Sequence, residues 1–135
     1  MGNPFLRQSR EKSGRKVILA VEDEPVLIQF YQYALEDDYD IFIASSGEEA
    51  FNALKILGDI DLMLLDFKLP GISGMSVLKE MKRSFPSVPV MIVTASKQGK
   101  AETVSTALGA CEYLEKPFEV GDLLDKIKKL VKKNR

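Results

Sequence analysis

The sequence contains no histidine at all, and this absence excludes several kinds of chemistry together. The chain cannot carry a phosphohistidine, a Ser-His-Asp triad or a histidine metal site, so any reaction must use carboxylate, lysine and hydroxyl groups. A single cysteine, Cys111, excludes an internal disulfide framework and suits a reducing cytosol. We therefore expect a cytoplasmic protein.

Long apolar segments and a strong net charge are also missing. No apolar run approaches the ~18 residues that cross a membrane, and residues 1–16 lack the apolar core of a signal peptide. We therefore expect no membrane association. The formal net charge is −1, so we expect no direct DNA binding by this chain. The 135 residues fit one domain, and a hydrophobic fraction of 45% is enough for a core.

Five short apolar runs alternate with segments of helical spacing. The runs lie at Val17–Val21, Ile41–Ala44, Leu62–Leu65, Val88–Val93 and Tyr113–Leu114. The first, third and fourth runs are almost continuously apolar, which is typical of strands covered on both faces. This (βα)5 alternation predicts an α/β fold with a parallel sheet, right-handed crossovers and helices on both faces.

Five helices are expected between and after these strands. Their predicted starts are Pro25, Ser46, Ser73 or Gly74, Lys100 and Val120. Proline suits the first helical position, and Ser46 with Glu49 three residues later is compatible with a capping box. The apolar residues expected to face the core are Val26, Phe30, Tyr33 and Ala34; Ala50, Leu54 and Leu57; Val77, Leu78 and Met81; and Leu123, Leu124, Ile127 and Val131.

Acidic residues follow two of the strands at their carboxyl ends. Ligands bind at this edge of a parallel sheet, so side chains distant in sequence are expected to meet there. Glu22 and Asp23 follow the first strand, Asp66 the third, Thr94 the fourth and Lys116 the fifth. Carboxylate pairs this close repel each other by on the order of 4 kcal/mol at ~4 Å and an effective dielectric near 20. Either one carboxylate is therefore protonated or a cation lies among them.

The residue types at this edge favour phosphoryl chemistry. Hard oxygen ligands without histidine or cysteine favour Mg²⁺, an ion that often bridges to a phosphate. Thr94 offers a hydroxyl donor, and Lys116 offers a compact positive charge. A carboxylate, a divalent cation, a hydroxyl and a lysine are the groups needed to attack a phosphoryl group and to hold its oxygens.

Four segments of the chain resemble, in the same order, those of a response regulator receiver domain of a two-component system. They are ILAVEDE, LLDFKLPGISGM, VPVMIVTAS and GACEYLEKPF, and the similarity covers residues 16–131. The resemblance implies a flavodoxin-like, doubly wound, five-stranded sheet with strand order 2-1-3-4-5. It also implies a flexible N-terminal arm over residues 1–15 and a receiver domain over residues 16–133, similar to stand-alone receivers of the chemotaxis type.

The resemblance assigns the acidic residues to two tasks. Asp66 is implied as the phosphoacceptor. Glu22, Asp23 and Asp66 are implied as ligands of Mg²⁺, together with the main-chain carbonyl group of Lys68. Glu22 replaces the aspartate that is commoner in the first acidic position, and we treat this as variation within the family.

The remaining site residues are implied to bind the phosphoryl group and to change conformation when it is present. Thr94 and Lys116 are expected to bind the phosphoryl oxygens. Thr94 and Tyr113 are expected to form the switch, in which the hydroxyl group moves inward and the aromatic ring turns into the space that it leaves. The peptide bond between Lys116 and Pro117 is expected to be cis.

The implied function is a phosphorylation-activated switch that takes its phosphoryl group from a histidine kinase or a histidine phosphotransfer protein. No enzymatic activity is implied beyond Mg²⁺-dependent self-phosphorylation and autodephosphorylation. No output domain follows residue 131 in this sequence, so we expect the downstream partner to be another protein.

Three other classes of protein are alternatives to a phosphorylated receiver domain. A haloacid-dehalogenase-like phosphatase places a second aspartate two residues after its nucleophile, where this chain has Lys68. A flavodoxin-like binder places a hydroxyl- and glycine-rich loop after strand one, where this chain has three acids, residues 22–24. The alternative that stays open is a receiver-shaped protein-interaction module that does not need phosphorylation.

Overall fold

A computed structural model of the chain describes residues 14–95 and 100–133, without the side chain of Lys133. Most of the predicted arm, residues 1–13, lies outside these ranges. The strands are β1 (Val17–Val21), β2 (Asp40–Ala44), β3 (Leu62–Leu65), β4 (Val90–Thr94) and β5 (Glu112–Glu115). The helices are α1 (Pro25–Leu35), α2 (Gly47–Leu57), α3 (Gly74–Ser84), α4 (Lys100–Ala107) and α5 (Val120–Lys133).

The five strands form one parallel sheet in the order β2-β1-β3-β4-β5, which confirms the predicted topology. Val21 pairs with both Ala44 and Leu65, the last residues of their strands. The carboxyl ends of the three strands β2, β1 and β3 therefore stop at one level. Whatever follows each strand emerges at the same edge of the sheet.

The sheet separates two apolar clusters, as expected for a sheet with helices on both faces. Val17, Leu19 and Val21 of β1 face one cluster, which α2 and α3 cover. Ile18 and Ala20 face the other cluster, which α1 and α5 cover. Every residue of β1, β3 and β4 is buried, and this explains why these runs are apolar throughout.

The predicted inward face is correct for α2, α3 and α5 but only half correct for α1. Phe30 and Ala34 pack against the apolar cluster as expected, but Val26 and Tyr33 are 73% and 82% exposed. The buried residues of α1 are Tyr31 and Leu35, with Leu27 partly buried one turn before them. Because apolar residues occur almost all around this helix, their spacing alone does not define which side faces the sheet.

Side-chain caps fix the start of α2 and α3. The Ser46 hydroxyl group accepts a hydrogen bond from the amide of Glu49 at 3.1 Å. The Glu49 carboxylate accepts from the amide of Ser45 at 2.7 Å, one residue earlier than in the standard capping box. Ser73 caps α3 by accepting from the amide of Ser76 at 3.1 Å, so α3 begins at Gly74.

Gly74 allows α3 to begin directly against the backbone that follows β3. A Cβ atom at this position would lie 2.5 Å from Phe67 Cα and still closer to the carbonyl oxygen of Asp66. Neither backbone atom can move aside without shifting Asp66 itself. The glycine is thus required by close approach, and the position of Asp66 depends on it.

We predict that Gly74→Ala lowers the free energy of unfolding by about 3 kcal/mol, because the added methyl group overlaps backbone atoms. Gly121→Ala is the matched control, since a Cβ atom there would lie more than 4 Å from every described residue outside its own stretch of helix. The control should leave stability unchanged or raise it by up to about 1 kcal/mol. Urea unfolding midpoints measure both effects, and equal midpoints for the two variants would contradict the packing argument.

Candidate functional site

Four of the predicted site residues meet at the carboxyl edge of the sheet: Glu22, Asp66, Thr94 and Lys116. Lys116 Nζ lies 2.8 Å from Asp66 Oδ2 and 3.1 Å from Glu22 Oε1. The Thr94 hydroxyl group donates to Asp66 Oδ1 at 2.5 Å. Residues 94 positions apart in sequence thus form one connected group.

The sheet itself positions three of these side chains. The amides of Glu22, Asp66 and Lys116 donate to the carbonyl oxygens of Ala44, Val21 and Thr94 at 2.9, 3.2 and 3.0 Å, respectively. Each residue therefore continues the strand ladder by one hydrogen bond. By the alternation of a strand, all three side chains fall on the face of the sheet that α1 and α5 cover.

Lys116 is the counter-ion of two buried carboxylates. The exposed fraction is only 1% for Glu22 and 5% for Asp66. Removing two such anions from water without a cation would be very unfavourable, and the ammonium group between them offsets part of that cost. The group of three residues still carries one net negative charge.

The pKa shifts reflect this crowding. Burial raises the pKa of Glu22, and the negative charge of Asp66 raises it further, while the hydrogen bond from Lys116 opposes both. Burial by itself lowers the pKa of Lys116, but the hydrogen bonds and charges of Asp66 and Glu22 outweigh it, so the net shift is upward. Lysine is therefore held in its charged form beside a glutamate that tends to take up a proton.

Backbone amides complete the polar surroundings of the two acids. Asp66 Oδ1 accepts a second hydrogen bond, from the Lys68 amide at 3.0 Å. Glu22 Oε2 accepts from the Glu24 amide at 3.2 Å. The two amides were not foreseen as site groups, because a side-chain pattern carries no signal for a main-chain donor.

The side chains of Asp23 and Lys68 do not join the connected group. Both residues are exposed. Asp23 follows Glu22 directly, so strand alternation turns its side chain away from the face that Glu22 occupies. In the part of the chain that the structure describes, no three acidic, cysteine or histidine side chains come together in a way that could hold a metal ion. The expected group of three carboxylates is thus a pair of carboxylates with a lysine between them.

The oxygen donors near Asp66 nevertheless fit a hard divalent cation. Glu22 and Asp66 offer buried carboxylate oxygens, Asp23 next to Glu22 in sequence carries an exposed carboxylate, and Lys68 carries a main-chain carbonyl group. None of them is a nitrogen or sulfur ligand, and this composition matches Mg²⁺ rather than zinc. An excess negative charge on the buried group also favours a cation.

Thr94 and Tyr113 differ from the arrangement expected before phosphorylation. The Thr94 hydroxyl group already lies inward, because the Asp66 carboxylate accepts its hydrogen bond. Tyr113 is half-buried, and its hydroxyl oxygen is buried without a hydrogen-bond partner among the described residues. The peptide bond between Lys116 and Pro117 is cis, as the family resemblance implies.

Tyr31 lies close to the acids from the α1 side and was not foreseen in this place. Burial raises its pKa well above the ordinary value, and the charges of Glu22 and Asp66 raise it further. Its ring is 1% exposed and belongs to the apolar cluster under α1. Tyr31 thus stays neutral and contributes to the low-polarity surroundings of the site.

The fold and the site define a parallel α/β protein with an acid, lysine and hydroxyl group at the carboxyl edge of its sheet. The family model described as response regulator receiver domain matches residues 18–128, so the chain belongs to that family. The match confirms the resemblance drawn from the four sequence segments. It gives no support to a receiver-shaped module that works without phosphorylation.

Curated relatives agree with this assignment. The transcriptional regulatory protein YkoG of Bacillus subtilis is 35% identical over 118 residues, which cover 87% of this chain and 51% of YkoG. The response regulator SaeR of Staphylococcus aureus is 34% identical over 115 residues, 84% of this chain and 50% of SaeR. The chain thus spans about half the length of the curated relatives it matches.

Solved structures show the same fold. TrrA of Thermotoga maritima, a response regulator solved in complex with Mg²⁺–BeF, is 36% identical with a TM-score of 0.74, over 85% of this chain and 98% of TrrA. A CheY-like receiver domain protein of Methanospirillum hungatei is 28% identical with a TM-score of 0.81, over 89% of this chain and 96% of that protein.

The helices in residues 14–95 and 100–133 include none with the length and apolar character that a membrane span requires.

We predict that Lys116→Met lowers the free energy of unfolding by roughly 2–3 kcal/mol at about pH 7, because two buried carboxylates lose their counter-charge. The loss should shrink towards about pH 5. Without lysine the pKa of Glu22 rises further above its unfolded value, so the folded state binds more protons and gains stability as the pH falls. Urea unfolding at the two pH values measures this difference.

Lys126→Met is the control, since Lys126 pairs with Glu112 at 3.3 Å in a more exposed place. An exposed pair contributes at most about 1 kcal/mol, so the control should change little at either pH. If Lys116→Met behaves like the control, Lys116 does not act as the counter-ion.

Proposed function

We propose that this chain is a phosphorylation-activated switch and that Asp66 accepts the phosphoryl group. The observation that carries the proposal is the arrangement around one carboxylate. Asp66 Oδ2 faces the Lys116 ammonium group, and Oδ1 faces the Thr94 hydroxyl group and the Lys68 amide. Donors that now hold two carboxylate oxygens are suited to hold phosphoryl oxygens once one carboxylate oxygen is bonded to phosphorus.

In the proposed reaction, an Asp66 oxygen forms a bond to the phosphorus of the donor. The bond from phosphorus to the donor nitrogen breaks, and the nitrogen keeps the electron pair. Membership of the receiver family implies that the donor is a histidine kinase or a histidine phosphotransfer protein. Since this chain has no histidine, it cannot supply that donor itself.

The Lys116 and Thr94 side chains are proposed to shift from the Asp66 carboxylate to the phosphoryl oxygens during transfer. Transfer adds negative charge outside the original carboxylate position, and a lysine on a flexible stem can shift towards it. The Thr94 hydroxyl group, released from Asp66 Oδ1, can donate to a phosphoryl oxygen. Both groups lie at contact distance of the acceptor before the reaction, so little reorganisation is needed.

We assign Mg²⁺ to Glu22, Asp23, Asp66 and the main-chain carbonyl group of Lys68. The bound ion would neutralise the excess negative charge of the acids and polarise the phosphoryl oxygens. Glu22 and Asp66 are buried and Asp23 is exposed, so Asp23 would have to turn towards the two buried acids to share the ion. TrrA was solved in complex with Mg²⁺–BeF, which supports a magnesium site in this chain.

The proposed switch passes from Asp66 through Thr94 to the face formed by α4 and β5. Thr94 ends β4, and Tyr113 lies on β5 opposite Ile92. When the Thr94 hydroxyl group no longer donates to Asp66, the Thr94 side chain loses the contact that holds it. The packing next to Tyr113 then changes. The altered face would then select a downstream protein target.

We predict that Asp66→Asn abolishes the incorporation of acid-labile phosphate from a small phosphodonor, because the amide is no nucleophile. Asp59→Asn is the matched control, since Asp59 is an exposed acid before β3, at the opposite edge of the sheet. The control should incorporate phosphate like the wild type. Retained labelling of Asp66→Asn, with a native circular dichroism spectrum, would contradict the assignment.

Removal of the metal or of its ligands should also stop phosphate incorporation. We expect no labelling in excess chelator, and none for the double variant Glu22→Ala with Asp23→Ala when Mg²⁺ is present. The double variant Asp37→Ala with Asp38→Ala removes two exposed acids beyond the end of α1 and should label normally. Mg²⁺ titration followed by tyrosine fluorescence gives a second readout, in which saturable binding by the first double variant would count against the site.

A further inference from the structure

An apolar hollow lies beside the candidate site, between α1 and the segment that joins β5 to α5. It has a volume of about 560 Å³ and opens to solvent. Its walls are mostly apolar, and its inner end reaches Lys116. The lining includes Leu27, Phe30, Phe118 and Val120. Val26 and Val120 at its border remain 73% and 45% exposed, so the described residues leave this apolar surface uncovered.

The border of the hollow is acidic. Glu24 is one of its lining residues, and Asp23 precedes it in the chain. Glu119 lies between the lining residues Phe118 and Val120, and it is exposed like the other two acids. Among the described lining residues Lys116 is the only cation, and it is already paired with two carboxylates. The hollow is therefore suited to an apolar group flanked by positive charge.

Residues 1–13 of the same chain contain such a sequence. Phe5 and Leu6 form an apolar pair, and Arg7, Arg10 and Lys12 follow with a single acid, Glu11. The apolar pair matches the lining, and the basic residues match the border. The segment thus complements the hollow in both polarity and sign of charge.

The chain enters the domain at a place from which this segment can reach the hollow. The Arg15 guanidinium group donates to the carbonyl oxygen of Glu36 at 2.6 Å, which ties the start of the domain to the end of α1. From Glu36 to Val26 the distance along the helix is about 15 Å at 1.5 Å per residue. The nine residues from Leu6 to Arg15 can span about 30 Å when extended, so they need not be fully stretched.

We propose that Phe5 and Leu6 dock in the hollow between α1 and the β5–α5 segment of their own chain, with Arg7 and Arg10 against its acidic border. Docking covers apolar surface that is otherwise exposed.

Paramagnetic relaxation tests the docking without any phosphorylation. In the full chain, Cys111→Ser with Asn3→Cys places a single nitroxide label two residues before Phe5. Docking predicts loss of most of the methyl signal intensity at Leu27 and Val120, which returns when the label is reduced. Methyl groups of Ile72 and Val77, between α2 and α3 on the other face of the sheet, should keep their intensity.

The matched control adds Phe5→Ser and Leu6→Ser to the labelled chain and should restore the Leu27 and Val120 signals. Signals that are never lost, or that stay lost in this control, would overturn the proposal. A loss that disappears on dilution with unlabelled protein would mean that the segment docks on a second copy, which also overturns it. Phosphate incorporation at Asp66 by a small phosphodonor is measured separately, so the two proposals can fail independently.

Discussion

The ammonium group of Lys116 between two buried carboxylates is the interaction on which the site depends. Glu22 and Asp66 end adjacent strands on the same face of the sheet, and both are almost fully buried. Placing them so close would destabilise the fold if no cation lay between them. Lys116 supplies that cation from β5, two strands away from Asp66. The same charge that stabilises the resting fold is therefore available to a phosphoryl group at Asp66.

Close packing of the backbone holds Asp66 in place despite the repulsion between the two carboxylates. Gly74 lets α3 begin against the carbonyl group of Asp66, and the amide of Asp66 continues the ladder to Val21. The carboxylate thus projects from a backbone that is fixed on both sides. Lys116 and Thr94 have side chains that can follow a change in charge, whereas Asp66 cannot move far. A fixed Asp66 with mobile neighbours suits its proposed role as the phosphoacceptor.

Much of the fold and part of the site could be predicted from the sequence, for identifiable reasons. Continuous apolar runs defined β1 and β3, and the rule that parallel strands end at one edge brought Glu22, Asp66, Thr94 and Lys116 together. The side of α1 that faces the sheet could be predicted only in part, because that helix is apolar on most sides. The place of Lys116 between the acids, and the inward position of the Thr94 hydroxyl group, depend on side-chain geometry that no spacing encodes.

Asp66, rather than a neighbouring acid, is proposed to carry the phosphoryl group. Borohydride reduction after treatment with a small phosphodonor and Mg²⁺ converts an aspartyl phosphate to homoserine, and peptide mass spectrometry then locates it. We expect homoserine at position 66 and intact acids at positions 22 and 23. Reduction at Asp23 or Glu22, or no reduced residue in a chain that has incorporated phosphate, would contradict the assignment of the phosphoryl group to Asp66.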